Sequence, residues 1–474
     1  MQTILLIAGQ TWKTILRNKA SFWLTVLLGI TLCVATWIGW QHYQTQQQQR
    51  LQYSKAVREK WVSKPDKHPH RMAHYGYLVF RDKHPLSFFD FGIESFSGVS
   101  IFLEAHKQNT VNFSEAGFSN GTLRFGEMSV AMVLQLLVPL LIFFLGYNAI
   151  AGERESGTLK ILLCQGVSWR QLMVGKALGI IAVSFTLFLP VIVLTIVLWA
   201  MLSQGQITAD AALRLLLLLI AYAAYFAICA GITVLVSAVS RSSKGALTIL
   251  LGSWIFFLVI LPRLTQAAGA NIYPAPSKIE FAAAIEEDLH KQGDSHNPDD
   301  PHYAGMKAAV LKKYNVKDVK ELPFNYGGYV MAEGEKISAG IYADHLRRLT
   351  RIYQQQNSFT VAASYINPYL SIRNLSMALT AADFATYASF QEQAEQYRYQ
   401  LAQRMNRLQM EYIGNNKPAV ISHDHWAEMP DFRYRFKTAG SVLQEQGATI
   451  MALVCWLGLM TVGLLTASKW ARTL

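Results

Sequence analysis

Six long apolar runs and two long polar segments alternate along the chain. An apolar run of about 20 residues is long enough to cross the roughly 30 Å hydrocarbon core of a membrane as a helix. Charge-free runs of that kind cover 21–40, 128–152, 177–209, 215–240, 245–262 and 446–468, and the fifth is the shortest. The pattern therefore predicts a mainly α-helical, polytopic membrane protein with six transmembrane helices.

Lysine and arginine in the short connections predict the orientation of these helices, because cytoplasmic loops are enriched in positive charge. Four sets of basic residues fall on one side of the predicted bundle: Lys13, Arg17 and Lys19; Arg154, Lys160, Arg170 and Lys176; Arg241 and Lys244; Lys469 and Arg472. The short connection on the other side, 203–214, is nearly free of positive charge. Both termini are therefore expected in the cytoplasm, and the polar segments 41–127 and 263–445 outside it.

The composition is that of a protein with a membrane-embedded part and a polar, solvent-exposed part. Hydrophobic residues make up 52% of the chain and charged residues 16%, against about 25% charged residues in an average soluble protein. A mean hydropathy of only +0.19 requires a large polar part. The formal charge of +12 does not indicate nucleic acid, because no basic stripe is interleaved with aromatic residues. The four cysteines lie in or beside apolar runs and form no CxxC pair, which argues against a disulfide framework.

The two polar segments make up more than half of the chain and are expected to fold as extracytoplasmic insertions. Segment 41–127 opens with a glutamine- and lysine-rich stretch that is typical of a solvated helix continuing the first span. Further on, 75–80 and 85–91 are predicted as short strands or aromatic loops. This smaller insertion is therefore predicted to be a small mixed α/β domain.

The larger insertion, 263–445, is predicted to be helical. Apolar residues recur at steps of three and four over 383–412, and 341–363 has a similar spacing, as in amphipathic helices. The two helices can pack as a long antiparallel hairpin that stands on the membrane. Alternatively, a partner protein covers their apolar faces.

The beginning of the chain carries apolar side chains on one helical face and basic side chains on another. Ile4, Ala8, Trp12 and Ile15 share the apolar face. This arrangement predicts an amphipathic helix in the cytoplasmic interface over 1–20, and the alternative is a simple helical extension of the first span. The first span itself, 21–40, is predicted to be a retained anchor, since it ends without a small-residue cleavage pattern.

A short charged loop, 153–176, separates the second and third spans within the membrane part 128–262. It reads ERESGTLKILLCQGVSWRQLMVGK. Its distinctive residues are Glu153, Arg154, Glu155, Gly157, Thr158, Leu159, Gln165, Gly166 and Lys176. This loop resembles the cytoplasmic loop of type-2 ATP-binding-cassette (ABC) permeases, the membrane subunits of ABC exporters.

A short helix between two spans can sit in a cleft of a cytoplasmic motor and move both spans. In such a loop, mixed charges would fix the helix by ion pairs and Gly157 would allow a tight bend. A buried face would come from Leu159, Ile161, Leu162 and Leu163. The resemblance implies this role, that of a coupling helix. The alternative is an ordinary charged loop that follows the positive-inside rule.

The resemblance extends to a subgroup of these permeases whose C-terminal half is a domain family of unknown function. The matching stretches are PLSFFDFGIESFSG at 85–98, RFGEMS at 124–129 and INPYLSIRNLSMAL at 366–379. Relatives in this subgroup read Ala-Gly-Thr-Asp where this chain reads Thr380-Ala381-Ala382-Asp383. That departure concerns a local turn.

No GxxxxGK[ST] phosphate-binding loop occurs in the chain. The resemblance therefore implies a separate cytoplasmic ABC ATPase in two copies, with ATP and magnesium bound to that subunit and no cofactor in this chain. It also implies a second permease copy or a sister permease, and location in a bacterial inner (cytoplasmic) membrane. A periplasmic or outer-membrane partner is a further option.

Weaker candidates each have a simpler explanation. Arg263 and a helix kink at Pro190 suggest a substrate path, whereas Arg214 and Arg263, which lie at span ends, are more simply explained by snorkelling to the head groups. Histidines that are close in sequence suggest metal binding only weakly, because histidine is already rare in membrane spans. These are His68, His70, His74, His423 and His425. We expect no metal site.

The sequence thus predicts a permease subunit that couples ATP hydrolysis in a separate subunit to export, or to extraction of cargo from the outer leaflet. The chain is not expected to be an enzyme. Two alternatives stay open: a mechanotransmission complex that moves the outer insertions without translocating cargo, and a membrane-anchored receptor without a motor. The last part, 446–474, is predicted to be the sixth span with a cytoplasmic tail.

Overall fold

The protein is described by a computed structural model for residues 1–105, 107–109, 128–202, 207–293, 300–414 and 419–470. Six helices in these ranges are long and apolar enough to cross a membrane. They are Lys19–Val62, Val130–Glu155, Trp169–Leu202, Ala209–Val239, Ser243–Ile272 and Gly447–Ala467, which we call spans 1 to 6. The prediction of a mainly α-helical protein with six membrane spans is confirmed. The end of the predicted tail, 471–474, lies outside the described residues.

Spans 2 and 5 are each interrupted by a π-helical turn. In span 2, Val133–Leu137 separates the α-helices Val130–Met132 and Val138–Gly146, and the helix Ala151–Glu155 follows after a turn. In span 5, Phe256–Ile260 separates the α-helices Ser243–Ile255 and Leu261–Ile272. The helix does not stop at Pro262, where the apolar run was predicted to end, because proline is tolerated in the first turn of a helix.

The π turns free backbone carbonyls, and side chains from neighbouring elements bind them. The indole Nε1 of Trp254 in span 5 donates to the Leu136 carbonyl of span 2 at 3.0 Å. The Asn367 amide donates to the Phe257 carbonyl at 2.6 Å. Such turns are frequent where a helix meets a functional or moving contact.

The amino-terminal helix, Gln2–Arg17, is separate from span 1. Asn18 breaks the helical path with extended backbone, and its side chain accepts a hydrogen bond from the Ser21 N–H at 3.2 Å. The alternative of a simple helical extension of span 1 is therefore wrong. The helix packs along span 3, where Gly175 and Gly179 leave room for it. Its place in the membrane interface stays a prediction.

The first polar segment contains helices and a two-stranded sheet. Span 1 continues well beyond its apolar part to Val62, as expected for a solvated extension. The helix Pro69–Ala73, strand β1 (Tyr77–Phe80), a 3₁₀ turn (Pro85–Phe88), the helix Glu94–Ser97 and strand β2 (Ser100–Leu103) follow. The strands pair antiparallel, with Tyr77 opposite Leu103.

The second polar segment is helical throughout its described elements. It contains the helices Lys278–Lys291, Pro301–Tyr314, Tyr326–Ala363, Pro368–Leu379, Phe384–Tyr412, Asp424–Ala427 and Ala439–Glu445, with a 3₁₀ turn at Val319–Glu321. We call Tyr326–Ala363 and Phe384–Tyr412 the first and second hairpin helices, and Pro368–Leu379 the junction helix. The first hairpin helix begins well before its predicted start at 341.

The two hairpin helices run antiparallel. At one end the Asn325 N–H donates to the Met410 carbonyl at 3.0 Å. At the other end the Tyr353 and Phe384 rings lie 5.5 Å apart. The predicted hairpin therefore forms within the chain, and its base is the end that leads into the junction helix.

The two polar segments share one hydrophobic core. Trp61, Tyr77 and Ile101 from the first segment are buried in the same cluster as Phe390 and Trp426 from the second. The sequence predicts two separate insertions, but the two segments fold together as one unit, which we call the outer domain after its predicted position outside the cytoplasm.

The junction helix contributes several residues of the second segment to the core of the spans. Its residues Ile372, Leu375, Ala378 and Leu379 belong to the buried cluster that the spans form, and the helix packs against spans 4 and 6. The helix therefore contacts the spans directly, and its position relative to the membrane stays a prediction. Amphipathic spacing does not reveal what covers the apolar face of a short helix.

Candidate functional site

The loop 153–176 forms a short helix between two sharp turns. Span 2 ends at Glu155, and Gly157, with a φ of 77°, precedes the helix Thr158–Cys164, which we call the loop helix. Gly166, with a φ of 87°, follows it. Glycine adopts such left-handed conformations at little cost, whereas other residues are strained there. Gly157 thus makes the tight bend that the sequence predicted.

Two charged side chains at the base of the loop bind the ends of spans 3 and 4. The Glu153 carboxylate accepts a hydrogen bond from the Lys176 ammonium of span 3, which makes a half-buried ion pair. The Arg154 guanidinium donates to the Ala238 carbonyl at 2.6 Å and to the Ser240 carbonyl. These carbonyls lie at the end of span 4, where helical donors are lacking.

Glu155 makes the third contact, to span 5. Its carboxylate accepts hydrogen bonds from the Ser243 N–H at 2.9 Å and from the Ser243 hydroxyl at 2.6 Å. The sequence analysis expected ion pairs to position the loop helix. One of the three contacts is an ion pair, and the other two involve backbone and hydroxyl groups. Together they join the loop base to spans 3, 4 and 5 within one chain.

The loop helix has a buried and an exposed side. Leu159 is buried against the spans, and Leu162 and Leu163 pack half-buried beside it. Ile161 is 58% exposed, so its assignment to the buried face was wrong. It lies two positions after Leu159, which at 100° per residue is the far side of the helix.

The exposed side carries apolar and polar groups together. Lys160, Ile161, Cys164 and Gln165 are all exposed, and we call them the exposed loop face. Thr158 is exposed as well, and its hydroxyl donates to the Glu153 carbonyl at 3.2 Å. Thr158 thus belongs to the turn, whereas the exposed loop face is available to a partner.

At the opposite end of span 4, Arg214 is buried with 1% exposure. Its guanidinium bonds the Asp210 carboxylate at 2.8 Å, the carbonyls of Ala378 and Leu379 at 3.3 and 3.2 Å, and the carbonyl of Lys437. The expectation that Arg214 snorkels to the head groups was wrong. The last carbonyls of the junction helix need donors, and a buried guanidinium supplies several at once.

Asp210 extends this contact to the chain that leads back to the membrane. Its other carboxylate oxygen accepts a hydrogen bond from the Ala439 N–H at 2.5 Å. Span 4 therefore holds the junction helix and the start of the helix Ala439–Glu445 through one Asp–Arg pair.

A buried polar chain links the first polar segment to spans 2 and 4 through the junction helix. The Ser376 hydroxyl bonds the Asp90 carboxylate at 2.5 Å, and the Tyr222 hydroxyl lies 3.0 Å from the Ser376 hydroxyl. The Gln135 amide of span 2 donates to the Tyr222 hydroxyl at 2.8 Å. Burial raises the pKa of Asp90 above its ordinary range, although hydrogen bonds from Ser376 and Gly92 oppose that shift.

A second buried charge cluster lies nearby in the outer domain. Glu94 faces Lys83 at 3.0 Å, Arg50 at 3.5 Å and Arg81 at 3.6 Å, and all four side chains are at most 9% exposed. Burial by itself raises the pKa of Glu94, but the three cations outweigh burial and lower that pKa to about 2. This cluster binds the long helix of span 1 to the loop that carries Asp90.

The weaker substrate-path candidates lie apart from these contacts. Arg263 is exposed on span 5, in the helix that continues beyond Pro262. Pro190 is exposed within the uninterrupted helix of span 3. Their role in a substrate path stays a prediction.

The histidine candidates fall into two places. His70 and His74 have their Nε2 atoms 3.2 Å apart, and the His68 Nδ1 accepts the His70 N–H as a helix cap. The His423 N–H donates to the Asp66 carboxylate at 2.9 Å, and the His425 ring packs on an aromatic neighbour. Within the described ranges, no group of three His, Cys, Asp or Glu side chains is arranged to hold a metal ion.

Comparison with known families agrees with this division into a membrane part and an outer part. Residues 98–275 match the model of the ABC-2 family transporter proteins. Residues 278–435 match a domain of unknown function, DUF3526. The chain thus carries an ABC-2 transporter region followed by a DUF3526 domain. The first match covers spans 2 to 5 with the loop 153–176, and the second covers the hairpin and the junction helix. No curated protein matches the chain significantly.

The ABC-2 match supports an ABC transporter permease in general terms, and it implies a partner ATP-binding subunit. The loop 153–176 is predictable from the sequence, whereas the junction residues Asp90, Glu94 and Ser376 were missed and Arg214 was misinterpreted as a snorkelling side chain. Three of these lie within the family-like stretches 85–98 and 366–379, so the resemblance gave a hint of them. Their contacts join residues far apart in the chain, which no spacing pattern reveals.

Proposed function

We propose that the ABC-2 permease couples ATP hydrolysis in a separate cytoplasmic ATPase to export, or to extraction of cargo from the outer leaflet. The observation that supports this most is the loop 153–176. Its helix presents an exposed face, while its base is bonded to three spans. A partner that displaces the loop helix would therefore move the ends of three spans together.

The movement would reach the outer domain through span 4. Arg154 bonds one end of this span and Arg214 bonds its other end to the junction helix. Closely packed protein interiors transmit displacement because they have little free volume to absorb it. Span 4 would transmit the displacement as a rigid helix from the loop to the junction helix.

The proposed assembly contains two copies of the ATPase, which bind ATP and magnesium, and a second permease copy or a sister permease. It sits in the bacterial inner membrane with both termini of the chain cytoplasmic. The outer domain receives or hands over cargo, alone or with a periplasmic or outer-membrane partner. The long extension of span 1 to Val62 and the shared core of the outer domain support a rigid platform for that purpose.

Ile161→Glu tests the docking of the loop. The substitution places a carboxylate in the exposed loop face without disturbing the bonds of Glu153, Arg154 or Glu155. We expect loss of the complex with the ATP-binding subunit and a fall in coupled ATP hydrolysis of at least about tenfold, because an interface tolerates a buried unpaired charge poorly. The measurement is co-purification and ATPase activity in nanodiscs.

Ile279→Glu is the matched control, because Ile279 is an exposed isoleucine of the outer domain. It should leave both the complex and hydrolysis unchanged. Full association and hydrolysis in Ile161→Glu would contradict the docking role of the loop.

The second candidate function, mechanotransmission, is favoured by the buried bonds of the junction. Arg214 and the Asp90–Ser376 pair join spans and outer domain so closely that hydrolysis can move the outer domain without any cargo crossing the bilayer. Transport by sealed proteoliposomes would support export, and ATP-driven movement of the outer domain without transport would support mechanotransmission. The anchored receptor predicts no ATP-binding partner, and the ABC-2 match weighs against it.

A further inference from the structure

The outer domain contains a cleft at the base of the hairpin. The helix Lys278–Lys291 forms one wall, and the two hairpin helices form the others. The cleft has a volume of about 220 Å³. An apolar cavity of about 150 Å³ is enough to bind benzene. The cleft can therefore hold a small organic molecule.

Aromatic and aliphatic groups dominate the walls. The rings of Tyr353 and Phe384 lie 5.5 Å apart, and those of Phe384 and Tyr387 lie 6.0 Å apart, so three rings form a continuous row. Phe281 faces them from the opposite helix, and Leu349 adds an aliphatic surface. Concave, largely apolar surfaces with few polar groups are typical of ligand sites.

The chain does not fill the cleft although an apolar side chain is next to it. Ile279 follows Lys278 directly, yet it is 82% exposed and does not line the cleft. The helix Lys278–Lys291 rests on the hairpin through Ile285, which is buried, and through Asp288, which bonds His345 at 2.8 Å. The helix is thus held away from the row of rings.

The charge on the described residues that line the cleft is positive. Of the twelve described residues that line it, Lys278 alone carries a charge at neutral pH. The nearest acidic residue on the same helix is Glu280. Its carboxylate accepts a hydrogen bond from the Ser277 N–H at 2.7 Å as part of the helix cap. An anionic group at the mouth would therefore meet an ammonium group and no lining carboxylate.

We propose that this cleft binds a small amphipathic anion. Its apolar body would lie along the rings of Tyr353, Phe384 and Tyr387, and its acid group would lie against Lys278. The proposal requires no ATPase and no transport, so its failure would leave the proposed permease function standing.

Photolabelling of the full-length protein in nanodiscs tests this site. The probe is a trifluoromethyl-diazirine benzoate, with the corresponding benzamide as its neutral counterpart. We expect saturable benzoate labelling in the peptides 346–353 and 384–391, as read by mass spectrometry. Ala388→Trp, which fills the cleft, should reduce that labelling by at least about tenfold. Ala283→Trp, at an exposed position of the opposite helix that does not line the cleft, should leave it unchanged.

Lys278→Glu tests the charge without filling the cleft. It should weaken benzoate binding by about fivefold or more and leave benzamide binding unchanged. The proposal is overturned if the benzoate does not label these peptides, if labelling does not saturate, or if both probes respond alike to Lys278→Glu.

Discussion

The two ends of span 4 differ in how the chain contacts them. At the loop end, Glu153 and Arg154 are half-buried and Glu155 is exposed, and each makes one or two bonds. At the outer end, Arg214 is almost fully buried and bonds four groups. Elsewhere in the outer domain, Glu94 is also buried and faces three cations. The first arrangement leaves a face free for a partner, whereas the second leaves none.

In the proposed coupling, this difference would separate the end of span 4 that receives force from the end that delivers it to the outer domain. Exposed ion pairs contribute little to stability because water and salt screen them. A buried charge that loses its partner costs several kcal/mol, so its geometry is strongly maintained. The loop end can therefore adapt to a docking partner, and the outer end should move as a rigid body.

The largest effect is expected from Glu94→Gln. The substitution removes the buried carboxylate that faces Arg50, Arg81 and Lys83, which should destabilise the outer domain by roughly 3–5 kcal/mol. Hydrogen–deuterium exchange in strands β1 and β2 measures this change. Glu59→Gln is the control, since Glu59 makes only an exposed pair with Lys55, and it should change stability by less than about 0.5 kcal/mol.

The stability of the outer domain should also depend on pH through Glu94, in a direction that its pKa predicts. The pKa of Glu94 is about 2 in the folded protein, below the ordinary value of 4.5. A lowered pKa means that the stabilisation is complete above about pH 4.5 and is lost as the pH falls towards 2. The parent should lose outer-domain stability over that range more steeply than Glu94→Gln. Equal acid profiles would contradict the role of the cluster.

A smaller effect is expected from Arg214→Met. The change leaves Asp210 and the carbonyls of Ala378 and Leu379 without their donor, at a cost of roughly 2–4 kcal/mol. Hydrogen exchange of the junction helix should rise, while binding of the ATP-binding subunit stays intact. Arg263→Met is the control, because Arg263 is an exposed arginine within the second half of span 5. An equal rise in both variants would show that Arg214 has no special role at the junction.

The smallest effect, and one of opposite sign, is expected from Ala381→Gly. Ala381 has a φ of +57° in the turn after the junction helix. Glycine adopts this conformation without strain, so the variant should be more stable by about 1 kcal/mol. Thermal unfolding measures the gain. Ala388→Gly, inside the second hairpin helix, should lose about the same amount.

Much of the architecture was predictable because it depends on local patterns. Apolar runs of sufficient length predicted the six spans, and steps of three and four predicted the second hairpin helix, which Asp383 caps through the Thr386 N–H. Gly157 indicated the bend before the loop helix. Ile161 was misplaced, because a run of four apolar residues does not show which of them turns towards the spans.

The number of spans, the positions of the polar segments and the loop that resembles those of ABC permeases were all predictable from the amino-acid sequence. Each of these depends on neighbours within one or two helical turns or within one apolar run. The folded chain was needed to show that the two polar segments share a core and that the junction helix packs into the bundle. It also showed that Arg214 bonds carbonyls more than 150 positions away. Such contacts depend on the shape of the whole fold, because a buried charge takes whichever partners the packed chain brings within reach.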